Sequence, residues 1–215
     1  MDQKLLFLIN REWISPAADR LMALASSWAA WLPLAFILIL ILIARGDFRM
    51  RAFVVTALLV VAVNDALVAR TLKRLVDRPR PHQAMSDVRV VDLAKATPRL
   101  LAVFKPPKIK MSRQELDDVD GRSFPSSHTM NTVSVALVGA CFFRWRAAWL
   151  FALAALVSYS RIYTGAHWPS DVITSIFLAF GTTLLMVAAL DWLWRRRGET
   201  WLPRLHARHP SLLAA

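Results

Sequence analysis

Three short polar segments carry the residue types that phosphate chemistry needs. They span residues 73–81, 123–128 and 160–171. Arginine binds a phosphate through two parallel hydrogen bonds, whereas lysine acts as a point charge. Together the segments supply three cations suited to an anionic substrate, which are Lys73, Arg80 and Arg161.

The same segments contain two predicted helix starts. Pro125 and Pro169 stand where helices tend to begin, because proline is well tolerated in the first turn. A helix that starts there directs its free N–H groups and the positive end of its dipole toward an anion. Ser126 and Ser127 add hydroxyl and backbone donors, so the combination predicts a phosphate-binding site.

Two histidines add the means to break a phosphate ester. His167 and Asp171 are four residues apart and can meet on one face of a helix. A carboxylate bound to one ring nitrogen fixes the tautomer and leaves the other nitrogen as a nucleophile. His128 has no carboxylate near it in sequence and is suited to protonate a leaving oxygen. The residue types leave open which histidine attacks.

Each segment taken alone also has a structural interpretation. Lys73 and Asp77 have the spacing of a helical ion pair, and residues 125–128 have the pattern of a helix cap. His167 with Asp171 could form a capping contact, and interfacial arginines also bind lipid headgroups. Two histidines and one aspartate amid so many cations disfavour a divalent ion, so we predict neither a metal nor a cofactor.

Composition indicates a membrane protein. Of the 215 residues, 56% are hydrophobic, more than the roughly 45–50% of a soluble domain. The single cysteine, Cys141, excludes an intrachain disulfide. A net charge of +12 suits nucleic acid or an anionic membrane, but the long apolar runs favour the membrane. No nucleic-acid-binding module is recognisable, so we expect no such partner.

Hydropathy predicts an all-α, polytopic helix bundle. Five apolar stretches are long enough to cross a bilayer: residues 28–44, 52–72, 125–143, 145–163 and 169–190. Five spans place the three polar segments on one membrane face. Asn64 and Asp65 interrupt the second stretch and are either functional or bonded to a neighbouring helix.

Three regions follow from this pattern. Residues 1–27 form an amphipathic N-terminal segment lying at the interface, broken near Ser15 and Pro16, although a sixth span is possible. Residues 28–194 form the transmembrane domain, with a long extramembrane loop over residues 82–124. Residues 195–215 form a basic C-terminal tail that we expect to be loose.

The three segments also match the motifs of a known family. Their patterns are K-x6-R-P, P-S-S-H and S-R-x5-H-x3-D, and the chain resembles the type 2 phosphatidic acid phosphatase (PAP2) superfamily, which includes vanadium haloperoxidases. The resemblance covers roughly residues 55–185. The second motif has Ser127 where the family usually has glycine, which would be strained if the backbone there required a positive φ.

The resemblance implies a role for each site residue. His167 would attack phosphorus and form a phosphohistidine, Asp171 would orient it, and His128 would protonate the leaving group and then activate water. The phosphate would be held by Lys73, Arg80, Ser126, Ser127 and Arg161. The family needs no metal, and its membrane members usually have six helices.

The expected function is hydrolysis of a phosphomonoester or diphosphate of a membrane lipid. Undecaprenyl diphosphate and phosphatidic acid are the favoured substrate types. The alternatives are a lipid phosphotransferase of the same fold and a non-catalytic lipid-binding or transport protein. The family's sites usually face the periplasm or the cell exterior, which implies a bacterial inner-membrane protein with that orientation. A count of Lys and Arg over all connecting segments favours the opposite side.

Overall fold

The computed structural model describes residues 1–113 and 122–213, and most of them are helical. Ten α-helices and two strands follow one another along the described part of the chain. The helices are α1 (Asp2–Phe7), α2 (Pro16–Ser26), α3 (Trp28–Arg45), α4 (Phe48–Val63), α5 (Arg70–Val76), α6 (Pro81–Ala84), α7 (Ser127–Phe143), α8 (Ala148–Tyr163), α9 (Pro169–Trp201) and α10 (Pro203–His206). The strands are β1 (Arg89–Asp92) and β2 (Lys108–Met111).

Four mainly helical stretches of the described chain are long and apolar enough to cross a bilayer. They are Trp28–Arg45, Phe48–Ala84, Ser127–Tyr163 and Pro169–Trp201. The third turns back on itself through a 3-10 segment, Arg144–Ala147, and its two halves α7 and α8 pack against each other. The stretches therefore include counterparts of all five predicted spans, and the predicted polytopic helical bundle is confirmed.

Helix α3 shows how the bundle meets the bilayer. Only Ala30 of this helix is buried, whereas Phe36 on its outer surface is 60% exposed. A helix that is apolar all round but so little covered by protein is suited to contact acyl chains.

The second spanning stretch is tied to its neighbours by polar groups. A π-helical turn, Asn64–Ala69, joins α4 to α5. The buried Asn64 donates through Nδ2 to Oγ of Ser134 in α7 at 2.8 Å. Thr183 of α9 donates to the same oxygen at 2.8 Å. Asn64 thus bonds a neighbouring helix, one of the two predicted alternatives, while Asp65 is exposed.

The C-terminal end differs from the sequence prediction. Helix α9 does not stop near Leu190 but continues to Trp201, and the described part of the tail folds back against it. Ser211 donates to Asp191 at 2.9 Å, and Nε1 of Trp194 donates to the carbonyl of His209 at 2.7 Å. The prediction of a loose tail is wrong because polar side chains of α9 hold it.

The predicted loop over residues 82–124 contains ordered structure that the sequence did not predict. Strands β1 and β2 pair antiparallel, with Val90 opposite Lys110. A 3-10 turn, Arg99–Phe104, lies between them. This small hairpin is an addition to the predicted all-α architecture. Residues 114–121 of the loop and 214–215 of the tail lie outside the described residues.

The N-terminal segment packs against the rest of the protein along one side, where Leu6 and Ile9 are buried. Its break falls at Ser15, which caps α2 by accepting a hydrogen bond from the amide of Ala18 at 3.1 Å. The buried Asp19 accepts two hydrogen bonds from Arg89, each of 2.9 Å, and one from Tyr163 of 2.7 Å. Polar groups of this segment therefore bind the hairpin and α8 instead of water.

Candidate active site

The three polar segments meet at one end of the bundle. The first follows α5, the second leads into α7, and the third connects α8 to α9. Lys73 donates through Nζ to Oγ of Ser127 at 3.0 Å, and the amide of Ser123 donates to the carbonyl of Arg78 at 2.7 Å. These bonds join the first segment to the second across more than forty residues of chain.

The three predicted phosphate-binding cations form one cluster. Lys73, Arg80 and Arg161 are close enough to act on one another electrostatically, and all three act on His128. None of them forms an ion pair with a carboxylate among the described residues. Asp65 and Asp92 act on Lys73 and Arg161 without forming an ion pair, so the clustered like charges still favour an anion between them.

Buried donors without partners mark the centre of this cluster. Within residues 1–113 and 122–213, Nε of Arg80 and Nε of Arg161 have no hydrogen-bond partner, and neither has Nδ1 of His167. Leaving a buried donor unpaired typically costs about 1–3 kcal/mol, and more for a charged group. Phosphate oxygens are acceptors that would satisfy such donors.

Arg161 is held from the other side by the N-terminal segment. Its Nη1 donates to the carbonyl oxygen of Ser26 at 3.2 Å and also to the hydroxyl of Ser26. These bonds fix the guanidinium while leaving Nε free. The sequence carried no signal for Ser26, because the contact spans 135 residues.

His167 lies in the short connection before α9 and is almost completely enclosed, with 3% of its surface exposed. Its amide donates to the carbonyl of Arg161 at 3.1 Å, which places the ring beside the cation cluster. Burial, together with the positive charges of Arg161 and Arg80, holds the pKa of His167 well below its usual value. This environment favours the neutral imidazole.

The predicted contact between His167 and Asp171 is longer than expected. Nδ1 of His167 lies 4.0 Å from Oδ2 of Asp171, beyond hydrogen-bond distance. The carboxylate instead accepts from Ser123 Oγ at 2.5 Å and from the amide of Trp168 at 3.2 Å. Its other oxygen accepts from Arg78 at 2.6 Å.

The residues around His128 form the start of α7. Ser126 is the N-cap residue, and its amide donates to Oγ of Ser175 at 2.8 Å. Its hydroxyl oxygen accepts from Oγ1 of Thr129 at 3.0 Å, so only the hydroxyl hydrogen remains for a ligand. Ser127 is helical and is not among the described residues with positive φ, so serine in place of glycine introduces no strain there. The ring of Trp28 meets that of His128 edge-on, with centroids 6.4 Å apart.

Arg78 and Asp2, neither of them a predicted site residue, support the site from outside. Arg78 bridges Asp171 and Asp2, with Nη2 lying 2.7 Å from the Asp2 carboxylate. Asp2 also accepts from the amide of Ser170 at 2.9 Å and from its hydroxyl at 2.5 Å. Burial alone would raise the pKa of Asp2, but the hydrogen bonds from Ser170 and Arg78 lower it overall. The sequence feature that could have indicated a role for Arg78 is its position two residues before Arg80.

Comparisons with known proteins identify the family of this chain. The sequence pattern of the PAP2 superfamily matches residues 51–195, a range that includes every predicted site residue. A lipid A 4'-phosphatase of Bacteroides thetaiotaomicron is 26% identical over 207 residues, covering 94% of this chain and 83% of the relative. A putative undecaprenyl-diphosphatase of Escherichia coli is 29% identical over 86 residues, covering 40% of this chain and 41% of the relative.

The fold also has a counterpart among solved structures. The crystal structure of Aquifex aeolicus LpxE superimposes with a TM-score of 0.59 at 22% identity, covering 87% of this chain and 94% of that one. The family match extends over more than half of the chain, and the predicted phosphatase activity is confirmed by the family and the relatives together. This chain therefore belongs to the PAP2 superfamily and is a membrane phosphatase.

Proposed function

We propose that the protein hydrolyses the phosphate of a membrane lipid through a phosphohistidine on His167. The observation that carries the proposal is the proximity of buried, unpartnered donors from Arg80 and Arg161 to the buried imidazole of His167. A phosphate bound there would satisfy the arginines and lie next to the nucleophile. The curated relatives act, by name, on lipid A and on undecaprenyl diphosphate, which supports a lipid-linked phosphate as substrate.

The first chemical step transfers the phosphoryl group to the enzyme. Nε2 of His167 attacks phosphorus, and the bond from phosphorus to the lipid oxygen breaks with its electron pair remaining on that oxygen. His128 donates the proton that the leaving oxygen needs. In the second step His128 takes a proton from water, whose oxygen attacks phosphorus and releases phosphate from His167.

Asp171 has the role of holding the attacking ring. Catalytic hydrogen bonds are often long in unliganded enzymes and shorten when substrate binds. A shift of about 1 Å would bring Nδ1 of His167 into hydrogen-bond distance of Oδ2 of Asp171, from the present 4.0 Å. The carboxylate is already fixed by Ser123 and Arg78, so the imidazole is the group that moves.

The donor set favours a reaction that needs no metal. Lys73, Arg80 and Arg161 supply positive charge where a phosphoryl transition state develops negative charge. The candidate metal ligands among the proposed site residues are two histidines and Asp171, and three cations beside them would repel Mg²⁺ or Zn²⁺. We expect full activity in EDTA.

We place the site on the periplasmic or outer face of a bacterial inner membrane. The short connections at the other end of the bundle, together with the helix ends beside them, contain Arg45, Arg49, Arg51, Arg144 and Arg146. Short connections are where the preference of positive residues for the cytoplasm is most reliable. An impermeant thiol reagent applied to intact cells should label a cysteine introduced at exposed Asp92 in a Cys141→Ser background. Labelling only after lysis would reverse the orientation.

The deciding experiment measures phosphate release by detergent-purified protein in EDTA. The panel contains lipid A, undecaprenyl diphosphate, phosphatidic acid and phosphatidylglycerol phosphate, because the relatives and the motifs leave these classes open. Release by the wild type and by His206→Ala, but not by His167→Ala, would support the proposal. His206 serves as the control because it lies on α10, away from the site.

Two further outcomes would replace the proposal. Labelled phosphate that moves to a second lipid instead of to water would identify a phosphotransferase. Lipid binding without turnover in any assay would identify a binding protein. Rapid quenching in base should retain labelled phosphate on the wild-type chain and none on His167→Ala, since phosphohistidine is labile in acid.

A further inference from the structure

A second charged cavity lies at the end of the bundle opposite the phosphatase site. It has a volume of about 380 Å³ and is lined by Arg49, Phe143, Arg144, Trp145 and Arg146. Helix α7 begins at the phosphatase site and ends at this cavity. Its 17 residues span about 25 Å, so the two sites lie at opposite membrane faces.

The cavity contains positive charge without a matching anion. None of its three arginines forms an ion pair with a carboxylate in the described part of the chain. Nε of Arg49 is buried and has no hydrogen-bond partner there. The Arg49 guanidinium lies 5.8 Å from the centre of the Phe143 ring, which holds it at the cavity wall. An acceptor with several oxygens would satisfy these donors.

The backbone at Arg144 points to the same conclusion. Arg144 has φ 56° and ψ −135°, a conformation that favours glycine. This backbone conformation holds the Arg144 side chain at the cavity, and it is less favourable for arginine than for glycine. Local strain of this kind is common where a residue contacts a ligand.

Aromatic residues indicate where the ligand comes from. Trp145 lines the cavity and is 80% exposed, and Trp149 follows one turn later and is also exposed. Tryptophan is enriched at the level of lipid headgroups. A cavity bordered by tryptophan at this depth opens toward headgroups, whereas a free ion would reach it from water.

We propose that this cavity, the Arg49 site, binds the phosphate of an anionic lipid headgroup in the leaflet opposite the phosphatase site. The arginines donate to the phosphate oxygens while the acyl chains stay in the bilayer beside Trp145. The site goes beyond the proposed hydrolysis, because it uses none of the phosphatase residues. Free inorganic phosphate shares the chemistry and is distinguished by the test.

The test uses a variant that removes the charge without harming the fold. Arg144→Gly places glycine where the backbone favours it, so the variant should be at least as stable as the wild type. Thermal unfolding in neutral detergent is measured against added phosphatidylglycerol, phosphatidylcholine or inorganic phosphate. Arg51→Gln is the matched control, because Arg51 is exposed at the same end but does not line the cavity.

We expect phosphatidylglycerol to raise the melting temperature of the wild type and of Arg51→Gln, with no effect of phosphatidylcholine. Arg144→Gly and Arg49→Gln should need about tenfold or more phosphatidylglycerol for the same shift. Hydrolysis of a water-soluble phosphate ester by Arg144→Gly should stay at the wild-type rate. If Arg51→Gln lost as much of the lipid-induced rise in melting temperature, general surface charge would explain the effect and the proposal would be overturned. A wild-type rise in melting temperature for Arg144→Gly would also overturn it. Stabilisation by inorganic phosphate with no further gain from the lipid would overturn the headgroup assignment.

Discussion

Arg78 donates a hydrogen bond to the buried carboxylate of Asp171 across 2.6 Å. The same guanidinium lies over the ring of Trp168, 5.0 Å from its centre, and reaches Asp2 at 2.7 Å. Arg78 thus fixes the carboxylate next to His167 and ties it to the beginning of the chain. We regard Arg78 as a positioning residue, because it acts through Asp171 and not on the phosphate.

Replacing Arg78 should reduce turnover more than substrate binding. Arg78→Gln removes the charge that holds Asp171, and we expect kcat to fall about 10–100-fold with KM nearly unchanged. Arg78→Lys should recover part of the loss. The control is Arg122→Gln, which breaks the exposed ion pair with Asp77 and should leave kcat at the wild-type value. A purely structural role would show as lost folded protein with normal kcat per folded molecule.

Removing Arg161 should lower the rate much more. We expect Arg161→Ala to lower kcat by about 10²–10³, because a buried donor to the transition state is lost. Steady-state phosphate release measures the effect. Arg74→Ala removes an exposed arginine next to Lys73 and should have little effect. Ser26→Ala separates support from catalysis, because it removes the side-chain bond to Arg161 and keeps the bond from Nη1 to the Ser26 carbonyl. An unchanged kcat in Arg161→Ala would remove Arg161 from the phosphate site.

The acid limit of activity should lie well below the pKa of an ordinary histidine. Burial and nearby cations lower the pKa of His167, so the attacking ring becomes protonated only at low pH. We expect kcat/KM to show no loss from His167 protonation as pH falls from 8 through 6.5. Substrate phosphates also titrate, so the profile is measured with a monoester and with a diphosphate. A fall in kcat/KM near pH 6.5 with both substrates would contradict the lowered pKa of His167.

Gly165 should be intolerant of a side chain. Its φ is +70°, and a Cβ there would lie 2.6 Å from the carbonyl oxygen of Arg89. Gly165→Ala should destabilise the protein by at least about 2 kcal/mol, seen as a lower melting temperature in detergent. Gly181→Ala is the control, because nothing lies within 4 Å of that position in α9. Alanine is the better helix former, so Gly181→Ala should be neutral or stabilising. Equal melting temperatures for the two variants would show that the hairpin does not press on Gly165.

The chemistry of the site could be predicted from the sequence because motif residues are local. Lys73 and Arg80, or His167 and Asp171, are separated by fixed short spacings that a helix or turn converts into fixed geometry. The transmembrane helices were equally predictable, since a bilayer accepts only long apolar stretches. These local patterns identified the family, the phosphatase activity and the helical bundle before any contact was known.

The partners of those residues depended on the tertiary structure. Asp2 contacts Arg78 across 76 residues of chain, and Ser26 contacts Arg161 across 135 residues. Local residue spacing therefore predicts neither contact. An amphipathic pattern predicts that Asp19 faces water. In the structure Asp19 is buried, and Arg89 and Tyr163 donate hydrogen bonds to it. Helix periodicity and the length of an apolar stretch can be recognised within a few turns of chain. The pairing of buried polar groups depends on which distant segments pack together.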